Sequence, residues 1–154
     1  MIFNPDEIFE LAQTIWETML GLPIEPGASE AVGNRPRSIV SCVQITGAWN
    51  GAILLDCPGE IAQRAAATMF STEPQNLTPL DLQDAMAEVT NVIGGHWKSL
   101  LPGACQLALP SVVEGGDYST RVPGTRALGR VAFTCLGHNV SISVLEKKQQ
   151  EIAA

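Results

Sequence analysis

The sequence predicts an α+β fold: an antiparallel β-sheet with helices packed on one face, arranged as a two-fold pseudo-repeat of helix plus strands. Segments with helical apolar spacing are interleaved with segments rich in Ile and Val that alternate inside and outside. Short glycine-containing turns join the latter, as antiparallel neighbours require. A helix-plus-hairpin pattern over residues 5–57 is echoed by helix plus strands over 78–146, and 46–55 resembles 134–143, each a turn with glycine and asparagine leading into an apolar strand. The 154 residues are 45% hydrophobic and 16% charged, enough for one sizeable core, so 1–154 is read as a single domain.

The elements follow in order. Ile8, Leu11, Ala12, Ile15, Met19 and Leu20 have helical spacing. Asn4, Pro5 and Asp6 supply an N-cap, a first-turn proline and a first-turn acid, and Gly21 with Pro23 stops the helix near residue 21. Residues 23–36, full of proline and glycine, read as a loop. Strands are expected over 38–46 and 52–55, joined by Gly47-Ala48-Trp49-Asn50-Gly51. A helix follows from Pro58 to about Phe70, and Thr78-Pro79 opens the longest helix, running to about Leu101. Further strands are expected over 105–113, 130–135 and 139–146. Residues 114–129 read as a long loop or a second hairpin, and 147–154 as a polar tail.

Charge narrows the partners. The formal net charge is −7, with twelve acids and three bases in residues 1–97 against four acids and six bases in 98–154. Such a field repels phosphate backbones and anionic headgroups, and aromatics at 5% are too few for base-stacking platforms, so neither nucleic acid nor membrane is an expected partner. No apolar run approaches the ~18 residues of a membrane span. The start Met-Ile-Phe-Asn lacks the basic and apolar regions of a secretory signal, so a cytoplasmic location is expected. Cys42, Cys57, Cys105 and Cys135 then stay reduced; with no C-x-x-C pair they are read as core residues and no metal site is expected.

The long helix carries the informative pattern. At roughly 100° per residue, Leu82, Met86, Val89, Ile93, Trp97 and Leu100 form one apolar stripe. Asp84, Glu88, Asn91 and Gly95 fall opposite, with Asp81 and Ser99 at the edge, and Glu88 and Asn91 are surface neighbours at i, i+3. Thr90, Asn91, Gly94 and Gly95 are assigned to the polar side. That is an odd choice for a merely solvated face, since each glycine costs about 1 kcal/mol relative to alanine. A mid-helix glycine on such a face permits close approach by another molecule; an early C-cap or kink is the structural alternative. His96 and His138 are read as surface or packing residues, and Trp97 as core.

Glu88-x-x-Asn91 followed by Gly95, on a long helix preceded by a helix-strand-strand-helix unit and followed by Leu109-Pro110-Ser111-Val112-Val113-Glu114-Gly115, resembles the CheX family. These relatives of CheC and the flagellar-switch phosphatase dephosphorylate the response regulator CheY. The resemblance implies a phosphatase for the aspartyl phosphate of a CheY-like receiver domain, with Asn91 orienting the attacking water and Glu88 pairing with a receiver lysine. Asp84 and Gly95 would contact the partner. It implies no cofactor of its own, because Mg²⁺ resides in the receiver, and it implies a homodimer. CheC-like relatives carry two such sites. Here the first helix has Glu10-x-x-Gln13 with the bulky Glu17 where a small residue is needed, so one site per chain is expected. A non-catalytic receiver-binding module and a small-molecule sensor are the competing classes.

Overall fold

The computed structural model describes residues 3–27, 38–115 and 124–148. Among these the element order is α1 (Pro5–Met19), β1 (Ile24–Pro26), β2 (Ser38–Gly47), β3 (Gly51–Pro58), α2 (Gly59–Met69), a 3₁₀ turn (Pro74–Asn76), α3 (Pro79–Ser99), β4 (Cys105–Leu107), β5 (Ser111–Gly115), β6 (Thr125–Cys135) and β7 (His138–Lys147). Both long helices begin where local chemistry dictates. The Asn4 side chain accepts from the Asp6 N–H at 3.0 Å. Thr78 and Asp81 form a reciprocal capping box, with N···O distances of 2.9 and 3.2 Å. After α1, Gly21 takes the left-handed conformation expected of a helix stop, at φ +64.

The strands form one antiparallel sheet in the order β1-β6-β7-β3-β2-β4, with β5 also on β2. Exchanging α1-β1-β2-β3 with α3-β4-β6-β7 turns that order into its own reverse, which is the two-fold pseudo-repeat expected from the sequence. Each half lends its short strand to the other half's hairpin: β1 pairs with β6, and β4 with β2.

One face of the sheet carries the core. Ile39, Val43 and Ile45 of β2, Ile53 and Leu55 of β3, Val131 and Phe133 of β6, and Val140, Ile142 and Val144 of β7 pack with the buried faces of the three helices. Trp16 of α1 meets Phe133 edge-on, with ring centroids 5.2 Å apart at 82°, and Trp97 of α3 meets Trp49 at 6.1 Å and 66°. Trp97 is therefore a core residue, as expected. The opposite face holds only a small cluster of Val40, Ala52, Leu54 and Leu145 with Cys42.

Several boundaries differ from the sequence reading. The single strand expected over 105–113 is two strands, because one extra residue breaks the ladder: Leu107 lies opposite Ile45 and Ser111 opposite Cys42, leaving Leu109 and Pro110 across from Val43 alone. Pro110, with no N–H to donate, suits that interruption. β1 lies inside what reads as loop. Three residues beside a proline carry no periodicity, and only pairing with β6 makes them a strand. β6 starts at Thr125, five residues earlier than expected, and it pairs with β7, whereas β5 pairs with β2. The described ends of the 114–129 segment therefore do not pair with each other. Parts of three expected segments, residues 28–36, 116–123 and 149–154, lie outside the described residues.

Cys57, Cys105 and Cys135 are buried and Cys42 is half-buried. Burial pushes the Cys42 thiol up, and does the same to Cys135, where nearby Arg64 partly opposes it. Both shifts disfavour the reactive thiolate form. His138 lies at the β6–β7 turn with Nε2 3.0 Å from Glu60 Oε2, a surface contact.

Candidate functional site

The site is a helix face. α3 spans 21 residues, about 30 Å at 1.5 Å per residue, and runs without interruption to Ser99, so neither Gly94 nor Gly95 is a cap. Its buried residues are Ala85, Met86, Val89, Thr90, Ile93, Gly94 and Trp97. The apolar stripe is thus rotated from the sequence reading. Leu82 is half-buried, Leu100 is half-exposed, and Thr90 and Gly94, assigned to the polar side, face the sheet. Thr90 is tolerated there because its hydroxyl donates to the Met86 carbonyl at 2.8 Å, so its own buried donor is paired.

The two glycines have different duties. A Cβ on Gly94 would lie 2.7 Å from Val43 Cγ1, too close for a stiff β-branched neighbour to yield. Close contact between α3 and β2 therefore requires glycine at 94. A Cβ on Gly95 would meet only Leu107 Cδ1 at 3.9 Å, an ordinary contact, and Gly95 has helical backbone dihedrals. Nothing in the packing demands glycine at 95.

Asp84 and Glu88 are exposed, and Asn91 and Gly95 are half-buried along the same face, so the four residues singled out from the sequence share one surface. Among the described residues, the Asp84, Glu88 and Asn91 side chains make no hydrogen bond or ion pair. The Asn91 carboxamide keeps both its donors and its acceptor for an outside partner. Asp81 is different: its carboxylate is committed to the Thr78 N–H, so the acidic patch available to a partner narrows to Asp84 and Glu88.

This face is the outer surface of α3. The two grooves described in the molecule lie elsewhere. One, of about 440 Å³, runs between α1 and α3 and is lined by Glu7, Glu10, Leu11, Thr14, His96 and Leu100. The other, of about 200 Å³, is lined by β2–β3 residues with Thr125 and Lys147. His96 belongs to the first groove and is exposed, with no role on the Asn91 face. No group of three or more His, Cys, Asp or Glu side chains among the described residues is placed to hold a metal ion. Nor is any described helix long and apolar enough to cross a membrane.

One neighbour of this face was not singled out as a site residue. The bulge opposite Val43 turns Leu109 out to 92% exposure, the most exposed large apolar side chain described. Pro110 inside an apparent strand is the sequence signal for such a break.

Comparison with known proteins agrees with this architecture. A family model described as chemotaxis phosphatase CheX matches residues 39–134. A search of curated proteins gives no significant match. Among solved structures, the chain is similar to CheX from Vibrio vulnificus, with a TM-score of 0.73, 20% identity, and 92% of this chain and 95% of that chain covered. It is also similar to CheX from Desulfovibrio desulfuricans, with a TM-score of 0.71, 23% identity, and coverage of 94% and 100%. A third neighbour comes from a CheX–CheY–BeF₃–Mg²⁺ complex of Borrelia burgdorferi, with a TM-score of 0.68, 18% identity, and coverage of 97% and 100%. At these identities the structures speak for the fold, and the family match spans more than half of the chain. The chain belongs to the CheX family of chemotaxis phosphatases.

Proposed function

We propose that this protein hydrolyses the aspartyl phosphate of a phosphorylated CheY-like receiver domain, with Asn91 and Glu88 as its working residues. The observation that carries the reading is an outer helix face on which a carboxylate and a carboxamide sit side by side with no partners among the described residues. Neither described groove is lined by Glu88 or Asn91, so in this reading the chemistry occurs inside a concavity supplied by a partner. The neighbour crystallised as a CheX–CheY complex supports a receiver as that partner.

The reaction asks little of the protein. An aspartyl phosphate is a mixed anhydride: water attacks phosphorus, the bond from phosphorus to the acyl oxygen breaks, and the receiver aspartate leaves as a carboxylate. The water's proton passes to phosphate or solvent. Phosphoryl transfer of this loose kind responds mainly to positioning and charge placement. In this reading Asn91 enters the receiver site and its carboxamide holds the attacking water in line. Glu88 pairs with a receiver lysine and sets the register, Asp84 adds negative charge, and Gly95 lets the receiver backbone approach. The Mg²⁺ ion belongs to the receiver.

The reading includes a cytoplasmic location, where receivers act, and a homodimer formed through a sheet edge. β1 pairs with only Phe133–Cys135 of the long strand β6, which makes the rest of that edge the first place to look. Light scattering at micromolar concentration tests it, and a monomeric mass would count against the dimer.

The decisive measurement is inorganic phosphate release from a panel of phosphorylated receiver domains, with wild type and Asn91→Ala. Stimulated release by wild type that disappears in the variant, with an unchanged unfolding curve, is the expected result. Equal rates would sink the catalytic role, and binding without release would leave a docking module.

A further inference from the structure

We propose that Leu109 is the apolar anchor of the receiver interface and determines how tightly the partner docks, as distinct from how fast its phosphate is hydrolysed. This rests on the reading above that the partner is a receiver domain.

A single exposed leucine on a protein surface normally needs no explanation. Leu109 differs in how the fold holds it. The Ala108 N–H donates to the Gln44 carbonyl at 2.9 Å, and Ser111 pairs opposite Cys42, so residues 108–111 are fastened to β2 at both ends. Across that interval β2 advances by two residues and its partner by three. The surplus residue leaves the ladder, and Leu109 turns outward. Pro110 restricts the backbone of Leu109 to extended conformations, so the side chain is presented from a rigid base and loses little freedom on binding.

Its position is next to the Asn91 face. Leu109 and Pro110 lie across from Val43, the residue that would touch a Cβ on Gly94, and neighbouring strands are only about 4.8 Å apart. Leu107, two residues away, is the side chain nearest to Gly95. Asn91 is one helical turn before Gly95. A partner that receives Asn91 in a cavity therefore meets Leu109 with the rim of that cavity. Polar residues fix register there, and Leu109 adds the apolar area that interfaces concentrate in a few residues.

The test uses the receiver that wild type dephosphorylates or binds best from the panel. Phosphate release is followed against phospho-receiver concentration, and binding is measured by calorimetry with the same receiver loaded with beryllofluoride and Mg²⁺. Leu109→Ser is expected to raise KM and Kd about tenfold with kcat within twofold, while Leu109→Met stays within about twofold of wild type in all three. Leu136→Asn, at the remote β6–β7 turn, where φ is +50, controls for loss of any exposed leucine and should change nothing. Equal thermal unfolding of all variants separates docking from folding.

A Kd for Leu109→Ser within twofold of wild type overturns the anchor, as does a loss of kcat at unchanged Kd. Receiver binding that weakens in Leu109→Ser, with no phosphate release by wild type, sinks the phosphatase reading and leaves the anchor standing. Failure of wild type to bind any receiver overturns both.

Discussion

When Glu10 and Gln13 of α1 are laid on Glu88 and Asn91 of α3, the two helices share their inner faces and part company outside. Ile8, Ala12, Ile15 and Trp16 fall on Met86, Thr90, Ile93 and Gly94, and all eight are buried. The last pair sets how each helix rides on the sheet: α1 stands off on an indole packed against Phe133, while α3 brings its backbone down onto Val43. On the outer faces, α1 carries Glu10, Gln13 and Glu17, and α3 carries Glu88, Asn91 and Gly95. Repeated architecture therefore requires only the inner residues. The outer ones are free to become a site in one copy and plain surface in the other.

The most forceful way to break this comparison is to exchange the importance of the two amides. Asn91→Ala should lower stimulated phosphate release by about 100-fold or more, the scale of losing one well-placed polar group in a transition state. Gln13→Ala should leave it unchanged. A comparable loss in both would mean that α1 carries a second site, contrary to the reading of Glu17 as a block.

Next in size is the packing of α3. Gly94→Ala places a methyl against Val43 and should cost about 1–3 kcal/mol in urea denaturation, the usual range for overpacking a core. A neutral outcome would show that α3 can lift off β2.

Glu88→Gln should raise KM for the phosphorylated receiver about tenfold, near the lower end of the range for a charge-assisted contact, with a smaller effect on kcat. Wild-type association should also weaken as salt rises, and the variant's should do so less steeply. Identical salt slopes would remove Glu88 from the interface.

The smallest effect is the most diagnostic. Gly95→Ala meets only ordinary contact and should stabilise the protein by about 0.5–1 kcal/mol, since alanine is the better helix former. If Gly95 serves a partner's close approach, that more stable variant should bind the receiver less well. Better stability with unchanged binding would return Gly95 to the ordinary helix surface.

Much of this fold is legible locally. Asn4 with Pro5, and Thr78 with Pro79 and Asp81, announce helix starts because the capping partners lie within three residues of one another. The β2–β3 hairpin reads directly from its turn, and Glu88 and Asn91 are neighbours by helical geometry alone. The rotation of the α3 stripe is less legible. Thr90 and Gly94 look polar or small in the sequence, and only the proximity of Val43 and the bond to Met86 reveals them as buried. β1 and β5 are short edge strands whose pairing partners lie far along the chain, at β6 and β2, so no local period marks their ends.

By itself, then, the sequence determined the α+β class, the two echoing halves, the long helix on which the site is proposed, and the pairing of a carboxylate with a carboxamide on its surface. These follow from dihedral preference, capping and periodicity, which act over a few residues. Tertiary structure alone decided which glycine the packing requires and which leucine a bulge turns out. Each of those outcomes depends on what a distant strand places within a few ångströms, and such distances are set by the closing of the whole sheet.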